Sequence, residues 1–505
     1  MSQLKKGAIL SYITIFLTNI VGLVLTPFII KSLGDAEYGL YTLIGAFVGY
    51  ISVLDFGLNN TIVRFVAKYR AEKDKKGEEN FLAITMLIYA AISIVIAIIG
   101  IVLYFNLDTV FSTSLTTGEL AKAKVMFMIL IFNLAITLPG GAFTAICSGY
   151  EHFVFPRTIN IVRYIVRSFM VVGLLLAGGD AIGLVLLDTI MNLLVIAFNG
   201  YYVLKKLNVT FKLYEFKTPL VKEIFSYSVW VFVFALVGQF QWKAGQIILG
   251  TLTNTTIVAI YTVGIMLGTY YGAFSTAISG VFLPRATKMT VEKATGIELT
   301  LVMVKIGRIS LMVLLMILGG FILFGKQFIL LWVGVNYIEA WFVALTIMIA
   351  YTIPLLQAFA NLILEAKSLF RFKAIIYIVF ISLGTLFGAF LISSKGIKGM
   401  VVGTATGWMI SIVIMNFYYW KILKLEMLVF FKNVAARILP SFLVVLILGY
   451  FINMLPGSNW LNLGVKIIFF MIAYGLVIYF FGVNNSEKEM IRNIIPVLNN
   501  NNVKD

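Results

Sequence analysis

The chain has 505 residues, 61% of them hydrophobic and 12% charged, against roughly 45–50% and 25% in soluble globular domains, which excludes a soluble protein and indicates an integral membrane protein. Its net charge of +17 would point to nucleic acid in a soluble domain, but lysine and arginine collect in the cytoplasmic loops of membrane proteins, so no nucleic-acid partner follows. One cysteine, Cys147, excludes an intramolecular disulfide or a cysteine metal cluster, and one histidine, His152, removes most histidine-based metal and acid–base chemistry; both counts argue against an enzyme.

A helix that crosses the hydrocarbon core needs about 20 apolar residues. Such runs, separated by short polar breaks, predict fourteen transmembrane helices near 8–31, 37–63, 81–105, 122–147, 158–178, 181–204, 223–250, 256–284, 298–324, 338–364, 372–393, 397–420, 434–454 and 461–482. The stretch Gly7–Ile30, which follows Lys5 and Lys6, is too long for a signal-peptide core and reads as the first of them. No break is long enough for a folded soluble domain. The breaks after odd-numbered helices hold only Lys31, Lys122, Lys124, Lys326, Lys395, Lys398 and Lys466, whereas the breaks after even-numbered helices are dense in lysine and arginine. That asymmetry places both termini in the cytoplasm. It also makes the charged block Lys68–Glu79, the segment Lys205–Lys222 and the segment Lys421–Arg437 cytoplasmic loops. Residues 486–505 read as a cytoplasmic tail.

A weak internal repeat runs at an offset of about 220 residues, as in transporters built from two related halves. "KSLGDAEYGLYTLIGAF" at Lys31–Phe47 resembles "IILGTLTNTTIVAIYTVGIM" at Ile247–Met266, with Leu-Gly closing one helix and Tyr-Thr opening the next. Arg64 and Arg285 then occupy matching ends of the second helix in each half. The repeat predicts an all-α polytopic fold with two pseudo-symmetric six-helix lobes, residues 1–210 and 215–425, followed by two further helices over 430–485.

This fourteen-helix pattern resembles the multidrug/oligosaccharidyl-lipid/polysaccharide exporter superfamily. Within it, "LGDAEYGLYTL", "DFGLNNTIVRFVA", "GYEHFVFPRTIN" and "FLPRATKM" resemble the Wzx-type polysaccharide flippases, through Leu33, Gly34, Tyr38 and Gly39, through Asp55, Gly57, Leu58, Arg64 and Phe65, and through Pro284. The resemblance covers the chain to about residue 425. It implies a non-enzymatic transporter of O-antigen or capsule repeat units. Such a protein flips undecaprenyl-diphosphate-linked oligosaccharide from the inner to the outer leaflet by alternating access of two lobes. Its partners would be the lipid-linked glycan, membrane lipids and a polysaccharide polymerase, and the protein would act as a monomer. Two alternatives share the fold: a cation-coupled multidrug exporter and a lipid II flippase.

Charges inside the expected helices carry the substrate argument, because a charge at mid-bilayer costs from about 2.5 kcal/mol to more than 10 kcal/mol and must face a cavity or a partner. Arg163 and Arg167 share one helix face, Lys305 and Arg308 another, and Lys243 lies among Gln239, Gln241 and Gln246. Like charges on one face repel, and a shared diphosphate offsets the repulsion; Arg167, Arg308 and Lys243 are therefore the candidate diphosphate-binding cations. Arg163 and Lys305 either join them or snorkel to the headgroups. The expected first helix has no carboxylate, its polar residues being Thr14, Thr18, Asn19 and Thr26, whereas drug-exporting relatives carry an acid there. Arg64 and Arg285 are candidate rim or gate residues, and Asp55 is a carboxylate that needs a partner. Asp188 and Asn192, on one face of the sixth helix, and Glu365 are candidates for coupling to Na+ or H+; for the first two a helix–helix hydrogen bond is the competing role. No other cofactor is implied, and the membrane potential itself is a third source of drive.

Overall fold

A computed structural model describes residues 3–489 apart from 217, 280, 281, 368 and 486. Among the described residues every regular element is helical: α1 (Gln3–Leu33), α2 (Asp35–Ile51), α3 (Leu58–Ala71), α4 (Lys75–Phe111), α5 (Thr117–Gly149), α6 (Val154–Leu176), α7 (Ala181–Tyr201), α8 (Thr218–Leu252), α9 (Thr255–Ser279), α10 (Leu283–Val291), α11 (Gly296–Trp332), α12 (Glu339–Leu356), α13 (Ala358–Ala366), α14 (Phe370–Lys421), α15 (Met427–Ala435), α16 (Ile438–Asn453) and α17 (Trp460–Val477), with short 3₁₀ and π turns between some of them. The reason is general. Hydrocarbon offers the backbone no hydrogen bonds, so a helix, which satisfies its own peptide groups, is the element that crosses.

Twelve stretches among the described residues are long and apolar enough to cross a membrane, and on that measure the expected fourteen become twelve. The difference arises at two places. The expected eleventh and twelfth helices are continuous as α14, although Gly396 at its middle leaves helical geometry (φ 55°, ψ −137°) and folds the element back on itself. The expected seventh helix coincides with α8, which is not among the twelve.

The break in the expected second helix is the clearest departure from the sequence reading. Instead of one helix over 37–63, α2 ends in a 3₁₀ turn at Ser52–Asp55, Phe56 and Gly57 adopt left-handed φ values of 51° and 69°, and α3 starts anew at Leu58. Asp55 closes this break. Its carboxylate accepts hydrogen bonds from the Tyr89 hydroxyl at 3.1 Å, from Asn59 Nδ2 at 3.4 Å and from the Gly57 backbone N–H. The charged block Lys68–Glu79, expected as a loop, is helical on both sides of a short turn: α3 runs to Ala71, and Asp74 caps α4 by accepting the Gly77 N–H at 2.8 Å. Glu78, Glu79 and Asn80 in the first turns of α4 are buried. Tyr150 donates to Glu78 at 2.5 Å, Thr210 and Tyr214 donate to Glu79, and Asn80 receives the backbone N–H groups of Tyr214 and Glu215. These side chains pin the segment after α7 to the start of α4, which is why they are not solvated as their composition suggests.

The chain divides into two compact units. Unit 1 comprises the described residues of 1–262 and 377–407, and unit 2 those of 263–376 and 408–489. In unit 1, α1 packs on α6, α5 on α4 and α7, and α2 on α8. In unit 2, α11 is the central element, against which α12, α15, α16 and α17 pack. Between lipid-bathed helices there is no water to expel, so association depends on close fit and small residues. The arms of α14 within unit 1 show this directly: a Cβ on Gly403 would lie 2.3 Å from the Gly388 Cα, and one on Gly384 would lie 2.6 Å from the Gly407 Cα.

Gly403→Ala is expected to cost about 1–3 kcal/mol, as overpacking does elsewhere, because backbone on the facing arm blocks the new methyl. Gly464→Ala, where a Cβ meets nothing within 4 Å, is expected to leave stability unchanged. Thermal unfolding of both variants in detergent checks the contrast.

Candidate functional site

Unit 1 holds a polar cavity of about 250 Å³, lined by Tyr41, Thr42 and Gly45 of α2, Leu130 of α5, Val185 and Asp188 of α7, Lys243 and Gln246 of α8, and Thr262 of α9. Three of the sequence candidates converge here. Asp188 and Lys243 both line the cavity, and Arg167 reaches Asp188 from α6. The Arg167 guanidinium grips the carboxylate with Nε on one oxygen and Nη2, at 2.9 Å, on the other. The Tyr41 hydroxyl donates to the same carboxylate at 3.1 Å. Arg167 and Asp188 thus neutralise one another, and Tyr41 fixes the orientation of the pair. The Arg167 side chain is also hydrogen-bonded to Tyr41.

Lys243 makes no ion pair or hydrogen bond among the described residues, so it gives the cavity a net positive charge. Its neighbour Gln246 is buried; Nε2 donates to Thr262 at 2.9 Å, while Oε1 has no partner. The Thr262 hydroxyl in turn lies 3.3 Å from that of Thr42. Thr42 and Thr262 follow Tyr41 and Tyr261, the Tyr-Thr pairs that match each other in the repeat, and their separation in the chain is 220 residues. Gly45, by lacking a side chain, leaves its share of the cavity open.

The other expected site residues lie elsewhere. Arg308 does not line this cavity. It is 5% exposed inside unit 2 and uses all five N–H groups: Nε and Nη2 on the two oxygens of Glu487, Nη2 on the Gly482 carbonyl at 2.9 Å, and Nη1 on the carbonyls of Asn433 and Ala436 at 2.8 and 3.2 Å. An arginine so enclosed has no donor for a diphosphate, and its place among the diphosphate-binding cations is corrected on that ground. Lys305, one turn away, is exposed. Arg163 is half-buried beside the Tyr164 ring at 5.1 Å, with its Nε unpartnered. Arg64 and Arg285 are exposed, as is Glu365. Asp55 serves the α2–α3 break. Asn192 donates to Asn133 at 2.8 Å and to Thr137 at 2.5 Å, a helix–helix contact between α7 and α5.

The sequence reading missed Glu487, which falls in the expected tail. The signal was present as "NSE" after Asn484: an Asn followed three residues later by Glu is a capping box. Asn484 Oδ1 accepts the Glu487 N–H at 2.9 Å, and Glu487 Oε2 accepts the Asn484 N–H at 2.8 Å. The remainder of the tail, 490–505, lies outside the described residues. Tyr41 was also missed as a partner of Asp188, because the two are 147 residues apart.

Removing one member of a buried ion pair costs about 3–5 kcal/mol, since the other is left unpaired. Glu487→Ala is therefore expected to abolish a monodisperse peak in size-exclusion chromatography or to lower the Tm strongly, whereas Lys305→Ala is expected to do neither.

Comparison with known proteins agrees with this architecture. The chain matches the polysaccharide biosynthesis protein family over residues 4–290. It is 24% identical over 225 residues to the "Uncharacterized membrane protein EpsK" of Bacillus subtilis, an alignment that covers 43% of each chain. It is 22% identical over 274 residues, 52% of this chain and 61% of the other, to a Shigella flexneri protein named "Putative O-antigen transporter". The matched region thus spans less than two thirds of either relative. In fold, the chain is similar to the lipid II flippase MurJ in its inward closed conformation (TM-score 0.66, 14% identity, 93% of this chain and 97% of that one) and to an inward-facing MATE family multidrug transporter of the MOP superfamily (TM-score 0.59, 15% identity, 83% and 97%). With a family match over more than half of its length and a multi-pass helical fold of this type, the chain belongs to the polysaccharide biosynthesis protein family of membrane proteins.

Proposed function

We propose that the protein is a flippase that moves a polyprenyl-diphosphate-linked oligosaccharide repeat unit from the inner to the outer leaflet of a bacterial cytoplasmic membrane. The observation that carries this reading is Lys243, an unpaired cation in a cavity whose only carboxylate is already neutralised by Arg167. A cavity of that charge favours an anion over a cationic drug. Lys243 acts as a point charge on a phosphate oxygen. The hydroxyls of Thr42 and Thr262 and the amide of Gln246 suit the polar face of a sugar. Family membership and the name of the Shigella flexneri relative support the glycan part of the proposal.

The transport cycle we infer is alternating access of two six-helix lobes, residues 1–210 and 215–425, with the lipid tail remaining in the bilayer. Both termini face the cytoplasm, where the lysine-rich breaks lie. An inside-negative potential favours outward passage of negative charge by about 2.3 kcal/mol per charge per 100 mV, and can drive the flip directly. Na+ or H+ coupling through Asp188 would compete with the Arg167 pair, which makes the potential the simpler source. A polysaccharide polymerase is the expected recipient of the product. A second reading, lipid II as the substrate, draws on the likeness to MurJ over 93% of the chain; it shares the diphosphate and differs in the glycan.

The test uses full-length protein in liposomes with a fluorescent polyprenyl-diphosphate oligosaccharide on one leaflet. Lys243→Gln is expected to slow translocation about tenfold, the worth of a charge-assisted hydrogen bond, and Lys243→Arg is expected to retain most of the rate. Equal rates for wild type and Lys243→Gln would overturn the cavity assignment, and equal translocation of lipid II would favour the second reading.

A further inference from the structure

A second cavity, larger than the one assigned above, lies elsewhere. It is a groove of about 540 Å³ in unit 2, walled by the second arm of α14, by Ile353 of α12 and by α15. Val413, Phe417, Trp420, Leu428 and Phe431 form most of its surface. Its wall residue Asn416 offers nothing to a polar ligand, because Nδ2 donates to the Ile412 carbonyl at 2.8 Å and Oδ1 accepts from Gln357 at 2.7 Å. The groove opens onto a strongly apolar outer surface: Phe417 is 64%, Trp420 58% and Leu428 87% exposed. In a membrane protein such a surface faces acyl chains, and water does not occupy a cleft of this composition at small cost.

Three lysines flank the groove-lining segments in the chain. Lys421 ends α14 directly after Trp420, Lys424 lies in the turn to α15, and Lys432 follows Phe431 within α15; all three are exposed. None forms an ion pair among the described residues, and Glu426, which lines the groove, is the one carboxylate against these three lysines in the segment 421–437. An apolar wall flanked by cations is the pattern of an interfacial helix that holds anionic lipid. We propose that this groove is a binding site for an anionic phospholipid, with one acyl chain along Val413, Phe417 and Trp420 and the phosphate held by Lys421, Lys424 and Lys432. The charge argument sets the occupant apart from ordinary surrounding lipid: a zwitterionic headgroup would gain little from three lysines, and a peptide would find no sheet edge on this wall. The proposal is independent of the transport reading, since none of these residues lines the unit 1 cavity.

Trp420 provides the readout. Full-length protein is placed in nanodiscs of zwitterionic lipid doped with increasing fractions of brominated phosphatidylglycerol or brominated phosphatidylcholine, and tryptophan fluorescence is compared with that of Trp420→Phe to isolate the Trp420 component. The expected result is half-quenching of that component at a several-fold lower fraction of the anionic lipid. Each lysine near a phosphate is worth about fivefold in affinity, so the Lys421→Gln, Lys424→Gln, Lys432→Gln triple variant is expected to quench equally with both lipids. Equal quenching of the wild type by both lipids would overturn the proposal, and this arm needs no variant of the lysines to fold. Relief of quenching by an equal fraction of unbrominated polyprenyl diphosphate, but not by free diphosphate, would also overturn it by identifying the occupant as the isoprenoid.

Discussion

A charge inside a bilayer has to be answered from within the protein, and the fold is organised around three such answers. Arg167 is answered by Asp188, Arg308 by Glu487, and Asp55 by the hydrogen bonds of Tyr89, Asn59 and Gly57. Each ties segments that are distant in the chain, and each removes from solvent-free surroundings a group whose burial alone would be prohibitive. Among the described residues Lys243 is a cation without such an answer that lines a polar cavity, and that cavity is where chemistry with an outside ligand is expected. Structural and functional charges are thus separated by whether the protein has already supplied the counter-ion.

Much of this architecture was legible in the sequence. Apolar runs of membrane-spanning length located nearly every helix, because hydrocarbon imposes both length and composition on whatever crosses it. The Tyr-Thr pairs at 41–42 and 261–262 stood out in the sequence, and the hydroxyls of Thr42 and Thr262 lie 3.3 Å apart. Lys243 was identified by its polar neighbours, and Gln246 does line the cavity with it. What could not be read was which partner each charge takes. Arg308 had the same signature as Arg167, a deep cation one turn from another, but its counter-ion comes from a segment whose composition resembles a solvated tail. The α2–α3 break was hidden for a related reason: Phe56 carries no turn signal, and the left-handed pair at 56–57 is stabilised by Asp55 and by Tyr89 of a different helix.

The two cavities illustrate how one physical environment yields opposite sites. In unit 1 the lining has hydroxyls, an amide and a lysine, and the polar atoms reach inward. In unit 2 the groove around Trp420 is mostly carbon: Asn416 is satisfied within the wall, and Glu426 is the one charged group among its lining residues. A membrane protein that handles an amphiphile requires both kinds of surface, and this chain builds them from different helices.

The cage around Arg308 also sets the order of events during synthesis. Its carboxylate partner is 179 residues downstream, which at about 5–20 residues per second takes roughly 10–35 s to be made. Throughout that interval α11 carries an arginine whose counter-ion does not yet exist. Unit 2 cannot lock until α15, α16, α17 and the capping box at Asn484 have followed, so its closure is one of the last steps of biogenesis. In that interval α11 has to be shielded by lipid headgroups, by water or by the insertion machinery. A ribosome that stalls before Glu487 would release a unit 2 bearing an uncompensated charge, a marker by which membrane quality control can distinguish a truncated chain from a finished one.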